Sequence, residues 1–317
     1  MGIALYVRGG RLSVYWCAYL FYRKKKYGTL DLVIDECNTI PFFARFYARE
    51  PGVLFVHQLA REIWFYEMPF PISWVGYAFE PLYMRLLSKS DVITISRSTK
   101  ADMVAHGFDQ NKIHIISEGI TIRGIDTLSE ARKSNKPMVL SIGSLRPMKR
   151  VDHVVRAFEI AKETIPDLEL IIAGDASGPS GIALCAQITK SNFKNSIQVL
   201  GRVDERQKAA LLRASHILAV TSVREGWGLV VTEANSQGTP AAVYNVPGLR
   251  DSVRHNETGW ICAENTPKSL AATIVAALQD AKAYRRCQAA AWDWSKEITF
   301  DRSYSDFRKA VSALVAQ

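Results

Sequence analysis

The sequence predicts an α/β protein made of two parallel-sheet domains that face each other across a cleft. Three observations carry the prediction. Short runs rich in Val, Ile and Leu alternate with longer segments of helical spacing, the pattern of parallel βαβ units. The 317 residues suit about two domains. A polar stretch without strand pattern, Ile125–Lys136, separates two such series. The expected organisation is a first domain over 1–124, a linker over 125–136, a second domain over 137–294, and a terminal helix over 295–317 that packs back toward the first domain.

In chain order, the first candidate element is an apolar helix, Leu12–Tyr22, followed by Arg23-Lys24-Lys25-Lys26. Charges that follow the apolar run are in the wrong order for a secretory signal. The segment reads as a buried helix with a basic end or as a membrane-surface helix whose lysines meet anionic lipid. Strands are expected at Leu30–Asp35, Val53–His57, Val92–Ser96 and Ile113–Ser117, with a helix at Ser98–His106. The second series has strands at Met138–Ile142, Leu168–Ala173, Ile197–Leu200, Ile217–Val220 and Ala241–Tyr244. Their continuous apolar character suits strands buried on both faces. Val151–Thr164, Glu205–Ala214 and Leu229–Gln237 carry apolar residues at helical spacing, and Ser295–Gln317 is the last helical segment.

Composition removes several function classes. The net charge of +9 is spread over both halves with no long basic tail, so nucleic acid is not an expected partner. A mildly basic surface instead suits a phosphate-bearing substrate or an anionic membrane face. The five cysteines are scattered and form no Cys-x-x-Cys pair. This argues against a disulfide framework or a zinc ribbon and for a reducing, cytoplasmic setting. No run approaches the length that a spanning helix needs. No Gly-x-Gly-x-x-Gly fingerprint is present, which argues against a dehydrogenase. Asp35-Glu36 has no further ligand cluster at metal-binding spacing, so no metal is expected.

The stretch that carries chemistry is Ser222–Pro240, SVREGWGLVVTEANSQGTP. It follows a buried strand and opens a helix. Gly226 and Gly228 bracket Trp227 at the turn, where glycine lets the backbone approach a ligand. The N–H groups of Gly228, Leu229 and Val230 sit at the helix N-terminus, a ready site for a diphosphate. Glu225 precedes the helix and Glu233 lies within it. Each carboxylate can accept two hydrogen bonds from a vicinal diol, so Glu233 suits a ribose and Glu225 the hydroxyls of a sugar. A solvated loop residue and a helix-cap residue are the plain alternatives.

These residues resemble the donor-site signature of family 4 retaining glycosyltransferases, which have the GT-B fold of two Rossmann-like domains. The likeness continues at Val139–Asp152 (VLSIGSLRPMKRVD, with Gly143 and Ser144), at Pro247–Val253 (PGLRDSV) and at Thr258-Gly259. It extends over nearly all of residues 28–310. The resemblance implies that Lys149 contacts the donor diphosphate and that Glu225 positions the donor sugar. It implies that the backbone at Gly228 and Leu229 cradles phosphate and that Glu233 binds ribose. His57, just after a strand in LFVHQL, corresponds to the family's cleft histidine; by its residue type alone it reads equally as structural. Arg150 reads as a solvated charge. The family has arginine where this chain has Ser144; either Arg146 reaches the same phosphates or the site is weaker there. Only some 29 residues precede Leu30–Asp35, where the family has a strand, a Gly-rich loop and two further strands. An abridged first domain with an incomplete acceptor side is therefore expected.

The function that follows is transfer of a sugar from a nucleotide-diphosphate donor to an acceptor hydroxyl with retention of configuration, without cofactor or metal. Expected partners are the donor, a glycan or lipid-linked acceptor, the inner membrane face as a peripheral contact, and a partner subunit if the first domain is incomplete. The aromatic run Trp64–Tyr66, with Phe70 and Trp74, suits an acceptor, a membrane or a core. The alternatives are a truncated, non-catalytic donor-binding subunit and a nucleotide-sugar epimerase, which would need no acceptor.

Overall fold

The computed structural model describes residues 4–10, 13–25 and 27–315. Leu12 at the start of the first expected helix, Lys26 in its basic cluster, and Ala316-Gln317 at the chain end lie outside the described residues.

Helix α1 (Ser13–Arg23) precedes a first sheet of four parallel strands, β1 (Val33–Cys37), β2 (Gly52–Val56), β3 (Asp91–Thr94) and β4 (Ile113–Ile115), in chain order across the sheet. β1 starts three residues later than the apolar run suggests, because its pairing starts at Val33↔Gly52. Pro51 just before the partner strand offers only its carbonyl, which accepts from the Val33 N–H at 2.9 Å. Between β2 and β3 lie α2 (Ile63–Glu67) and α3 (Ile72–Leu87), and α4 (Arg97–Ala105) follows β3. Ser96 caps α4, its hydroxyl accepting from the Thr99 N–H at 3.1 Å. Alternation in the strands serves both faces of the sheet. Leu54, Val56 and Val92 pack with Met84 and Leu87 of α3, while Val53 and Ile93 pack on the other face with Ala310 and Leu314 near the chain end.

The second sheet holds six parallel strands: β5 (Met138–Ile142), β6 (Glu169–Ala173), β7 (Ile197–Val199), β8 (Ile217–Val220), β9 (Ala241–Val243) and β10 (Gly259–Ile261). The spatial order is β7-β6-β5-β8-β9-β10, so the winding reverses between β5 and β8. Ligands of open α/β sheets bind beyond the strand ends at such a switch point. The helices are α5 (Val151–Thr164), α6 (Pro179–Lys190), α7 (Glu205–Ala214), α8 (Leu229–Ser236), α9 (Pro267–Gln279) and α10 (Ala281–Ser295). Val154, Val155, Phe158 and Ala161 of α5 are wholly buried in this half's large core.

One expectation changes. Ser295–Gln317 is not one helix: α10 ends at Ser295 and α11 (Phe300–Val315) starts anew. Thr299 caps the new start, its hydroxyl accepting from the Arg302 N–H at 3.3 Å. α11 crosses to the first sheet, where Ser303 Oγ donates to the Ser117 carbonyl. The linker stretch Ile125–Lys136 is tied to the second half by hydrogen bonds. The Ile125 N–H donates to Ser236 O at 3.0 Å, and Lys133 Nζ donates to Ser215 O at 2.7 Å and Thr239 Oγ1 at 2.6 Å. Burial lowers the Lys133 pKa to about 7.

Candidate functional site

β8 is followed by the buried pair Thr221-Ser222, and the chain loops through Val223–Gly228 into α8. Gly228 starts the helix at φ 84°, ψ 56°, left-handed backbone that favours glycine. A Cβ there would also lie 2.8 Å from Leu249 Cδ2. Arg150, expected to be a solvated charge, holds the start of this loop. Its guanidinium donates to Thr221 O at 2.8 Å and Ser222 O at 3.1 Å. Thr221 Oγ1 donates back to the carbonyls of Lys149 and Arg150, each at 2.9 Å. The turn after β5 and the turn after β8 are thereby locked together at the switch point.

Two glutamates and two lysines stand around this lock. Lys149 Nζ lies 2.5 Å from Glu225 Oε1, and Ser222 Oγ donates to the same carboxylate at 2.5 Å. Glu233 is only 7% exposed and takes a hydrogen bond from Lys208 Nζ at 2.6 Å. Burial raises the Glu233 pKa, and Lys208 opposes that rise. Sequence reasoning missed Lys208, which sits on α7, 25 residues before its partner. Its one local sign was an i,i+3 position to Glu205, with 3.6 Å between charged atoms.

A cavity of about 430 Å³ opens beside these residues, lined by Gly143, Ser144, Gly174, Arg202, Lys208 and Glu233 among others. A small annex against Lys149 and Ser222 shares Gly143, Ser144 and Val230 with it. A Cβ on Gly143 would meet nothing within 4 Å, so this glycine forms an open floor. The first N–H groups of α8 have no partner inside the helix. The arrangement thus joins a buried carboxylate, Glu233, and a partly buried one, Glu225, both able to accept from hydroxyls, with a lysine and a helix N-terminus that favours anions.

Not every expected donor residue lines this cavity. Arg146 turns away, its guanidinium 3.9 Å from Glu67 on α2 and 3.4 Å from Met148 Sδ. It lines a neighbouring cavity with Tyr66 and His153. Trp227 also points elsewhere, its indole N–H donating to Thr232 Oγ1 at 3.0 Å. Gly226 faces the first half, where a Cβ would lie 2.8 Å from the His57 carbonyl oxygen.

His57 stands at the end of β2 between two carboxylates, with Nε2 3.1 Å from Glu36 and Nδ1 2.9 Å from Glu118. The hydrogen bond to Glu118 raises its pKa, burial opposes the rise, and Glu36 adds to it. Of the acidic pair Asp35-Glu36, Asp35 holds its own loop by accepting from the N–H groups of Phe42 and Ala44 at 2.8 and 2.9 Å. Glu80, wholly buried, accepts from the Ala60 and Arg61 N–H groups, each at 2.6 Å, and so fixes the loop after His57.

The halves are also tied by Arg224, next to Glu225. It is 7% exposed and donates to Asp102 Oδ2 at 2.5 Å and Glu62 Oε2 at 3.3 Å. Asp251 accepts from the Ser98 N–H at 3.2 Å and so makes a second tie. The loop Val223–Gly228 is therefore held against the first half by Arg224, and the segment around Asp251 is held there separately.

A family profile described as "Glycosyl transferases group 1" matches residues 126–294, more than half of the chain. Among curated proteins, the chain is similar to a D-inositol 3-phosphate glycosyltransferase of Corynebacterium efficiens, 30% identical over 220 residues, 62% of this chain and 50% of that protein. The chain spans about half the length of the curated relatives it matches. Among solved structures, sucrose-phosphate synthase from Thermosynechococcus elongatus superposes with a TM-score of 0.77 at 18% identity, covering 98% of this chain and 81% of that one. HepE from Anabaena, solved with UDP and glucose, gives a TM-score of 0.70 at 17% identity, covering 97% of this chain and 83% of that one. The two facing parallel sheets and these neighbours establish the GT-B fold.

Proposed function

This chain belongs to the glycosyl transferases group 1 family, and from that premise we propose that it moves a sugar from a nucleotide-diphosphate donor to an acceptor hydroxyl with retention of configuration. One observation carries the reading: the 430 Å³ cavity ends on the Glu233–Lys208 pair and shares Gly143, Ser144 and Val230 of α8 with a small annex lined by Lys149, whose ammonium holds Glu225. The nucleoside fits the larger chamber, with the ribose diol donating to Glu233. The diphosphate lies over the α8 N–H groups beside Lys149, and the sugar reaches Glu225.

In this scheme the acceptor oxygen forms the new bond to the anomeric carbon as the bond to the diphosphate breaks on the same face. The acceptor proton passes to the departing diphosphate. Lys149 and the helix N-terminus stabilise the charge that develops there, which needs no metal. His57, held by Glu36 and Glu118, presents its ring from the opposite half, and the Arg224 tie keeps the cleft closed against water.

Calorimetric titration of UDP, GDP and ADP into the wild-type chain and Glu233→Ala tests the donor site. UDP is the first choice, since HepE, which shares the fold, was solved with it. One nucleotide should bind, and the variant should bind it roughly 10- to 100-fold more weakly through loss of a charge-assisted pair of hydrogen bonds. A folded wild-type chain that takes up none of the three overturns the reading.

A peripheral contact with an anionic membrane is part of the proposal, carried by α3. Ile72, Val75, Phe79, Leu82 and Leu86 recur every three or four residues and are each more than half exposed. Its one carboxylate, Glu80, is buried, whereas Arg85 and Lys89 are exposed. An apolar stripe rimmed by cations suits an acidic lipid surface. The chain should float with phosphatidylglycerol-containing vesicles, and Phe79→Asp should remain at the bottom of the gradient. Equal flotation of both proteins removes the contact. No helix among the described residues is long and apolar enough to cross a membrane.

A further inference from the structure

A second cavity, about 410 Å³, opens where three parts of the molecule meet. Arg97 and Ser117, beyond the ends of β3 and β4, line one wall. Trp227 of the donor loop and Arg250 line the next, and Trp294 and Arg302 of the crossing to α11 close the third. None of its lining residues lines the donor cavity or its annex.

Its charges are unevenly matched. Arg302 has Glu297 at 3.7 Å. Arg254 has Glu257 at 3.0 Å and stacks 4.5 Å above the Trp294 ring. The acids in the wall are engaged too. Asp306 has Lys309 at 3.5 Å, and Asp251 spends its two oxygens on the N–H groups of Ser98 and Gly248. Arg97 and Arg250 have no carboxylate within ion-pair distance among the described residues. Two guanidinium groups without an ion-pair partner, Arg97 from the first half and Arg250 from the second, line one cavity with the Trp227 indole, which is held by its hydrogen bond to Thr232, and present forked donors and a flat face.

We propose that this hinge cavity binds a small phosphate- or diphosphate-bearing molecule, with Arg97 and Arg250 on its oxyanion and Trp227 against its body. Arg97 belongs to the first half and Arg250 to the second. A ligand held by both adds a tie between the halves and favours the closed arrangement, to the extent that it binds that arrangement better. The site stands apart from the donor cavity and does not rest on the transfer reaction.

The test is pyrophosphate titrated into three proteins, followed by calorimetry and tryptophan fluorescence. The wild-type chain should take up two equivalents. Lys149→Ala/Glu233→Ala should keep the event that changes the fluorescence. Arg97→Ala/Arg250→Ala should lose that event, with affinity reduced roughly 10-fold or more for each arginine, while keeping the other. Arg250→Gln, a change at an exposed position, replaces the double variant if the latter melts early. An arginine variant that titrates like the wild-type chain overturns the proposal. So does a Lys149→Ala/Glu233→Ala protein that binds no pyrophosphate. Failure of nucleotide binding at the donor cavity leaves this test readable, because the two sites share no residue.

Discussion

Replacing Glu225 with alanine is expected to abolish most transfer while leaving nucleotide binding close to that of the wild-type chain. Ser222 and Lys149 hold the carboxylate, each 2.5 Å away, and Glu225 does not line the cavity walled by Glu233, to which the nucleoside is assigned in the proposed scheme. Two charge-assisted hydrogen bonds to sugar hydroxyls are together worth about 3–6 kcal/mol, so kcat/KM should fall roughly 10²- to 10⁴-fold. Glu225→Gln keeps the shape and part of the hydrogen bonding, so its loss should be smaller. The readout is release of nucleoside diphosphate from the donor identified by titration, first with water as acceptor and then with glycans. A thermal melt separates catalysis from folding, since the lost contacts with Ser222 and Lys149 are each worth only about 1–3 kcal/mol. A folded Glu225→Ala protein with an unchanged rate removes Glu225 from the reaction.

What the sequence could show follows from the range of each interaction. Strands such as β5 and β8, buried on both faces, announce themselves as continuous apolar runs and were placed to the residue. β10 escaped notice because it is three residues, Gly-Trp-Ile, at the sheet edge. α3 was missed for a different reason. Its inner face mixes polar and apolar residues (Ser73, Glu80, Met84, Leu87) while its outer face is apolar, and Pro81 interrupts it, so no inward apolar stripe stands out. α6 and α9 did carry signals, each with proline in the first turn and α9 with Thr266 as cap.

At the site, the glycine turn and the two glutamates were legible because they lie within one short loop and helix. Their partners were not. Arg150 reaches carbonyls 71 and 72 residues away, Arg224 reaches Glu62 across 162 residues, and His57 meets Glu36 and Glu118 only because β1, β2 and β4 end on the same side of one parallel sheet. Such pairings are products of topology, and no local spacing encodes them. The same holds for the direction of a side chain. Trp227 sits inside the glycine turn in sequence, yet its ring belongs to the hinge cavity.

Lys149→Ala should cost roughly 10²- to 10³-fold in kcat, the range expected when a fixed positive group facing the developing charge is removed. Ground-state nucleotide affinity should change less, because the α8 N-terminus still meets the diphosphate. The contact with Glu225 makes this more than a second deletion. The ammonium and the carboxylate neutralise each other at 2.5 Å, with side-chain exposures of 25% and 14%. A donor that draws Lys149 toward its diphosphate frees Glu225 for the sugar, so part of the binding energy goes into separating the pair. Removing either partner also removes that separation cost, and each single variant therefore loses less than its own contact with the donor is worth. The double variant Lys149→Ala/Glu225→Ala should lose more than the product of the two single losses, because the separation cost is relieved only once in the double variant but in both single variants. The measurement is a double-mutant cycle on kcat/KM with donor hydrolysis as the readout. Strict multiplicativity of the two losses would mean that the ion pair has no part in preparing the site, and that Lys149 and Glu225 meet the donor independently.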